Sequence, residues 1–241
     1  MKSIYAQLYS VKDAMEKAYM HTLREIALMG YSGVEFAGYG GHSAKELRKA
    51  LEALNITCLS SHVSIERLEE NPKGEMEYLK ELGSEFIVCP YYDIKTIEDV
   101  KVLAQKLNHI GEVAKNYNIK LLYHNHAHEF VKDQDTYLLD RLFENVEPGN
   151  LYQQPDLYWV AYAGVDPIQY LEKVKDRSPI IHLKQMENMQ TKKNVTADAG
   201  VIDFKKAVEI ADKSAFVYEQ ETMDIDPLEA MKRSVNYLKE V

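Results

Sequence analysis

The feature that most constrains the fold is a repeat of kind rather than of letters. Eight short runs rich in apolar, β-branched or aromatic residues recur along the 241 residues: Ile4 to Tyr9, Gly33 to Phe36, Thr57 to His62, Phe86 to Cys89, Lys120 to His124, Leu151 to Asp156, Pro179 to Lys184, and Phe216 to Glu219. Between them lie stretches such as "SAKELRKALEALN" and "TIEDVKVLAQKLNHIGEVAKNYN", whose apolar residues fall three and four apart, as on one face of a helix. Strand then helix, repeated, predicts a parallel sheet, because parallel strands are covered on both faces and read as nearly continuous apolar runs. Eight units in this length allow about 30 residues each, the size of a βαβ step. The expected fold is therefore α/β, a (β/α)8 TIM barrel, in a single domain over 1–241. An open dinucleotide-binding sheet would call for a glycine-rich turn after the first run, and "LYSVKDA" has no glycine.

The punctuation agrees. Gly30, Asn55 and Gly83 follow helical runs where a left-handed residue is wanted. Ser43, Thr96, Asp166 and Asp226 precede helices as N-caps, the last two with proline next.

Charge narrows the partners. A formal net charge of -9 repels a phosphate backbone, and lysines and arginines are interspersed with acids, so nucleic acid is not an expected partner. No run approaches the ~18 apolar residues of a membrane span, and the first ten residues lack a signal-peptide core. A cytoplasmic location is the expectation. Cys58 and Cys89 sit in apolar runs without metal-type spacing and read as reduced core residues.

In a parallel barrel the site lies where the strands end at their C-terminal edge. The runs end in Glu35, in His62, in the "YHNHAHEF" stretch, in Asp156, in "HLKQ" with His182 and Lys184, and in "YEQE" with Glu219 and Glu221. A lone polar strand end is ordinary. Several carboxylates converging on one mouth repel each other unless a proton or cation holds them, which points to a divalent metal. Strand alternation turns His124 and His126 toward that mouth and Tyr123 and Asn125 away from it, with Glu129 able to fold back from the loop and His128 left on the surface.

The ordered set "GYSGVEFAG", "SSH", "YHNHAHEF", "DLYWVAYAGVDP", "HLKQ", "AGVIDF" and "YEQE" resembles the xylose isomerase-like TIM barrel superfamily, specifically its sugar phosphate isomerase/epimerase group, over nearly the whole chain. The resemblance implies one divalent metal held by Glu, Asp, His and Glu from the fifth to eighth strands. Carried onto this sequence, Asp156, His182 and Glu219 take three positions, and Glu129 is expected to take the fourth, with His124 as the alternative ligand. A mostly oxygen set with one imidazole favours Mn2+, Mg2+ or Co2+ and admits Zn2+.

The expected activity is a sugar isomerase or epimerase that moves a proton beside a carbonyl of a ketose, keto-inositol or related sugar through an enediolate. If a β-hydroxyl leaves instead, the same site is a dehydratase. Expected roles are Glu129 or Glu219 as base, His126 as general acid or base, and Lys184 as the group that neutralises an oxyanion. Glu35, His62 and, when not a ligand, His124 are expected to bind substrate hydroxyls. Tyr158 and Trp159 read as packing behind the sixth strand. Gln185 departs from the "HLKD" of relatives. Two other classes stay open, a three-zinc endonuclease IV-like nuclease and a non-catalytic sugar-binding barrel, as does assembly into a homo-oligomer.

Overall fold

A computed structural model describes residues 2–241. The barrel strands, numbered in chain order, are β1 (Ile4–Gln7), β2 (Gly33–Ala37), β3 (Thr57–His62), β4 (Phe86–Cys89), β5 (Lys120–His124), β6 (Tyr152–Gln154), β7 (Ile180–Leu183) and β8 (Ala215–Tyr218). All their pairings are parallel, running β6-β5-β4-β3-β2-β1-β8-β7. The remaining seam, between β6 and β7, is closed by a parallel bridge from Asp156 to His182. The eight expected runs are the eight strands of a (β/α)8 barrel.

Helices wrap the sheet, the longer ones being α1 (Lys12–Leu28), α2 (Ala44–Leu54), α4 (Pro72–Leu82), α5 (Ile97–Asn116) and α10 (Pro227–Leu238). Shorter ones are α3 (Ile65–Glu70), α6 (Leu138–Glu144), α7 (Leu157–Tyr162), α8 (Pro167–Val174) and α9 (Phe204–Ile210). Their ends are set by the residues expected to set them. Ser43 and Thr96 form reciprocal capping boxes with Glu46 and Asp99, Asp166 and Asp226 cap helices whose first residue is proline, and Asn55 and Gly83 take left-handed backbone at the exits.

The core has two parts. Val88, Leu122, Ile180 and Val217 fill the barrel interior, whereas Ile87, Cys89, Leu121, Tyr123, Ile181, Leu183, Phe216 and Tyr218 pack outward under the helices. Because side chains alternate along a strand, the residue two places after an inward one is also inward. Leu122 thus aims His124 into the mouth, Ile180 aims His182 and then Lys184, Val217 aims Glu219, and Tyr152 aims Gln154 and then Asp156. On β3 the rule is interrupted by a bulge. The pairing passes from Val34 with Cys58 to Glu35 with Ser60, skipping Leu59, so Ser60 and His62 turn inward beside Glu35. Among the described residues, no helix is long and apolar enough to cross a membrane.

Candidate metal centre

Four side chains meet at the C-terminal rim. His124, Asp156, His182 and Glu219 each offer one ligand atom, and these atoms all lie within 4.8 Å of one another. All four residues are buried. A second overlapping group, His62, His124 and His182, shares two of them, so the two are one site.

Asp156 carries the test of what that site holds. It follows β6 after Pro155 and caps α7, with Oδ1 accepting from the Trp159 backbone at 3.0 Å while its own N–H donates to Asn125 Oδ1 at 3.2 Å. The other oxygen, Oδ2, is buried and has no hydrogen-bond partner. It stands 3.9 Å from His124 Nε2, beyond bonding range. A buried carboxylate oxygen left bare costs on the order of several kcal/mol, and here it faces imidazoles and a second carboxylate. A divalent cation fits this donor set. With two imidazoles and two carboxylates the set is richer in nitrogen than the sequence suggested, which moves preference away from Mg2+ and toward Zn2+, Co2+ or Mn2+.

The proton balance tells the same story. Burial pushes the Asp156 carboxyl upward. Glu219 is held low: burial works against its ionisation, but the Lys184 ammonium and the hydrogen bond from His182 prevail. His182 would lose its proton by burial alone, yet Glu35 and Glu219 on either side raise it to about 10. Its Nε2 is 2.7 Å from Glu35 Oε1 and its Nδ1 is 2.8 Å from Glu219 Oε2. Without a metal, a proton on Nδ1 does the work a cation would do.

Below the four lies a polar floor. Glu35 is fully buried and receives Gln7 Nε2 at 2.7 Å, Ser60 Oγ at 2.5 Å and Gln154 Nε2 at 2.6 Å, besides His182 and, at 3.0 Å, His62 Nε2. Burial opposes its charge, and the fields of His62 and His182 hold its carboxyl well below the usual range. Expected to bind substrate, Glu35 instead has no surface to offer; it orients His182 as a carboxylate behind a metal-ligating imidazole does. His62 keeps a face on the cleft while bonding Gln154 Oε1 at 2.9 Å.

Glu129 is the other correction. β5 ends at His124, and the turn His128–Phe130 swings Glu129 to the outer side, where Tyr123 Oη donates to it at 3.0 Å and the His126 N–H at 2.9 Å. It is buried there, outside the four-residue group, and His124 occupies the fifth-strand position. His128 is partly buried rather than free, bonding Tyr92 O at 2.9 Å.

The cleft over the cluster has a volume of about 380 Å3 and is lined by Tyr9, Ala37, Pro90, Tyr91, His62, His124, His126, Glu219 and Glu221. Its two sides differ. On the β5 side, burial and then the Lys184 charge depress His126 to about 3, so its ring is neutral, and its Nδ1 is buried without a partner. On the β7–β8 side, the buried Lys184 ammonium contacts Glu221 directly, lies 3.9 Å from Glu219, and sits 4.9 Å from the Trp159 ring centroid. Burial would discharge Lys184, but Glu219, Asp156 and Glu221 keep its proton on. Trp159 thus packs against both His126, 5.2 Å between centroids, and Lys184, rather than only behind β6.

Gln185 explains its own departure from acid. Its Oε1 accepts from Met186 N and Ile202 N, and its Nε2 donates to Ala197 O and Ile202 O, which a carboxylate could not do. Gln7, Ser60, Gln154 and Asn125 were not singled out in the sequence. They are neutral, and only the inward parity of Gln154 with Tyr152 and Asp156, and of Gln7 with Tyr5, could have flagged any of them.

The profile described as xylose isomerase-like TIM barrel matches residues 23–241. An inosose dehydratase from Clostridium tetani is 28% identical over an alignment of 271 positions, spanning 93% of this chain and 90% of that enzyme. A solved sugar phosphate isomerase/epimerase from Parabacteroides distasonis superposes with TM-score 0.86 at 24% identity, covering 100% of this chain and 99% of that one. The IOLI protein, solved with a zinc atom bound, superposes with TM-score 0.78 at 16% identity, covering 100% and 97%.

Proposed function

Since the chain belongs to the xylose isomerase-like TIM barrel family, we propose that its cleft houses a metal-dependent dehydratase acting on an uncharged polyhydroxylated ketone of the keto-inositol class. This places the lyase reaction ahead of the isomerase or epimerase expected from sequence. The observation that carries it is the unlikeness of the cleft's two sides. Epimerisation at one carbon needs proton-transfer groups on opposite faces, and the carboxylate that could have served the β5 side, Glu129, is turned outward onto Tyr123. Neutral imidazoles stand there instead, while an ammonium and carboxylates stand together opposite. The dehydratase relatives at 25–29% identity support the same reading.

A divalent cation held by His124, Asp156, His182 and Glu219 would polarise the ketone and acidify the neighbouring C–H. Glu221, on the cleft wall, takes that α-proton. Glu221 then gives that proton to the β-hydroxyl, which leaves as water as the carbon–carbon double bond forms. The buried Lys184 ammonium in contact with Glu221 favours the ionised carboxylate, so the base is restored once the proton has left with water. His126, neutral and on the cleft wall, is placed to hydrogen-bond a substrate hydroxyl. The substrate is uncharged because the described residues lining the cleft include two carboxylates and no arginine or lysine, and Lys184 is already paired.

The test is incubation of Zn2+-, Co2+- or Mn2+-loaded protein with a panel of keto-inositols, ketoses and ketose phosphates in D2O, followed by NMR. Loss of one water from an uncharged ketone is the expected result. Deuterium at the α-carbon with every hydroxyl retained would replace dehydratase by epimerase, and inertness across the panel would defeat both.

A further inference from the structure

Gln154 is fully buried at the end of β6, with its amide in the middle of the polar floor. Its orientation is forced. Glu35 can only accept hydrogen bonds in its ionised form, so the amide group 2.6 Å from Glu35 Oε2 must be the Nε2 donor. Oε1 therefore points the other way, 3.0 Å from His124 Nδ1 and 2.9 Å from His62 Nε2. An amide oxygen has no proton to give, so each of those ring nitrogens must be the donor. For His124 that fixes N–H on Nδ1 and leaves Nε2, the atom facing Asp156 Oδ2, as the bare lone pair.

We propose that Gln154 is a positioning residue that sets the tautomer of His124, so that Nε2 is the atom offered to the cation. The arrangement is a relay of donor direction: Glu35 fixes the amide, the amide fixes the imidazole, and the imidazole completes the ligand set. Glu35 does the same for His182 directly, its Oε1 accepting from Nε2 and leaving Nδ1 beside Glu219. One buried carboxylate thereby aims both imidazole ligands, one by contact and one through Gln154. In water the two tautomers of a free imidazole interconvert readily; here the wrong one would set an unprotonated Nδ1 against an amide oxygen, two lone pairs at 3.0 Å. A ligand held by such a partner loses about 10- to 100-fold in metal affinity when the partner is removed.

This inference rests on the metal reading of the site and not on the reaction, so its test uses no substrate. Zn2+ affinity of Gln154→Met, nearly isosteric but without donor or acceptor, is measured by competition with a chromophoric chelator, alongside the visible spectrum of the Co2+ form. The expected results are a 10- to 100-fold weaker Zn2+ complex and an altered Co2+ band, with His182→Gln as the reference for loss of a ligand itself. Unchanged affinity and spectrum would overturn the proposal. If Gln154→Met does not fold, long-range 1H–15N correlation of the zinc-loaded wild-type protein decides. A proton on His124 Nδ1 supports the assignment, and metal on Nδ1 with a proton on Nε2 overturns it.

Discussion

Replacing Asp156 by asparagine should make the metal-free protein more stable and the metal-bound protein impossible to form. The substitution keeps the helix cap, because asparagine serves as well as aspartate at an N-cap and its side-chain oxygen can still accept from Trp159 N. What it removes is a buried charge whose second oxygen has no partner. Burial raises this carboxyl from 3.8 to about 7. Each tenfold change in acidity is worth about 1.4 kcal/mol, so ionising it inside the fold costs at most about 4 kcal/mol with the help of the Lys184 charge already included, and about half that once the fold relaxes around the charge. The sign follows from linkage. A carboxyl with a raised folded value contributes its full stability below its unfolded value near 3.8 and loses it as pH climbs through about 7. In EDTA the advantage of Asp156→Asn should thus be near zero at pH 4, grow between pH 4 and 7, and level off at about 2 to 4 kcal/mol by pH 8. For a chain of this length that is a rise in Tm of roughly 5 to 15 °C. Differential scanning fluorimetry in EDTA and with Zn2+ or Co2+ measures both halves. Zinc should lift the wild-type Tm at pH 8 and leave the variant unmoved. A variant less stable than wild type in EDTA at pH 8, or one still stabilised by zinc, would refute the assignment of Oδ2 as a ligand atom.

Two further outcomes follow from the same geometry. Glu129→Gln should keep Zn2+ affinity within about twofold, since Tyr123 Oη and the His126 N–H can be satisfied by an amide, whereas His124→Ala should lose on the order of 100-fold; isothermal titration of both variants checks which of the two side chains belongs to the site. Zinc binding should also release a proton from His182, which sits at about 10 in the metal-free fold because of Glu35 and Glu219, so observed affinity should climb by up to about tenfold per pH unit from pH 7 to 9, more steeply below 7 where Asp156 must also ionise, and the heat should depend on the buffer's ionisation enthalpy.

How far the sequence could reach is decided by strand parity. The barrel was legible because every parallel strand is covered on both faces, and a run of apolar residues is then the cheapest possible message. Asp156, His182 and Glu219 were legible for a related reason: each continues the inward register of an interior residue, one step on from Ile180 and Val217 and two steps on from Tyr152, so the hydrophobic pattern itself points at them. Glu35 was visible as an acid at a strand end, but its depth was not. That depends on the bulge at Leu59, which swings Ser60 inward to hold it, and nothing in "CLSSH" announces a bulge. The inward parity of Gln154 was visible but its role was not, because its chemistry lies in which end of a neutral amide faces which neighbour, a property of three strands meeting rather than of one.

The fifth strand shows the limit most sharply, because there two rules competed. The resemblance favoured Glu129, since it implied a ligand set of Glu, Asp, His and Glu with a glutamate from the fifth strand. Counting parity favoured His124, two places after the inward Leu122, and parity describes a constraint the backbone cannot relax while the strand lasts. Beyond His124 the strand ends, and the chain is free to carry Glu129 to either side. It goes to the side of Tyr123, an outward residue, because a phenol hydroxyl and a backbone N–H there hold both carboxylate oxygens without a metal. An acid with two donors of its own gains little from a cation; Asp156 Oδ2, with none, gains most. In a barrel mouth, then, the ligands are to be sought among inward residues whose polar atoms lack partners, before counting which residue types coordinate metals best.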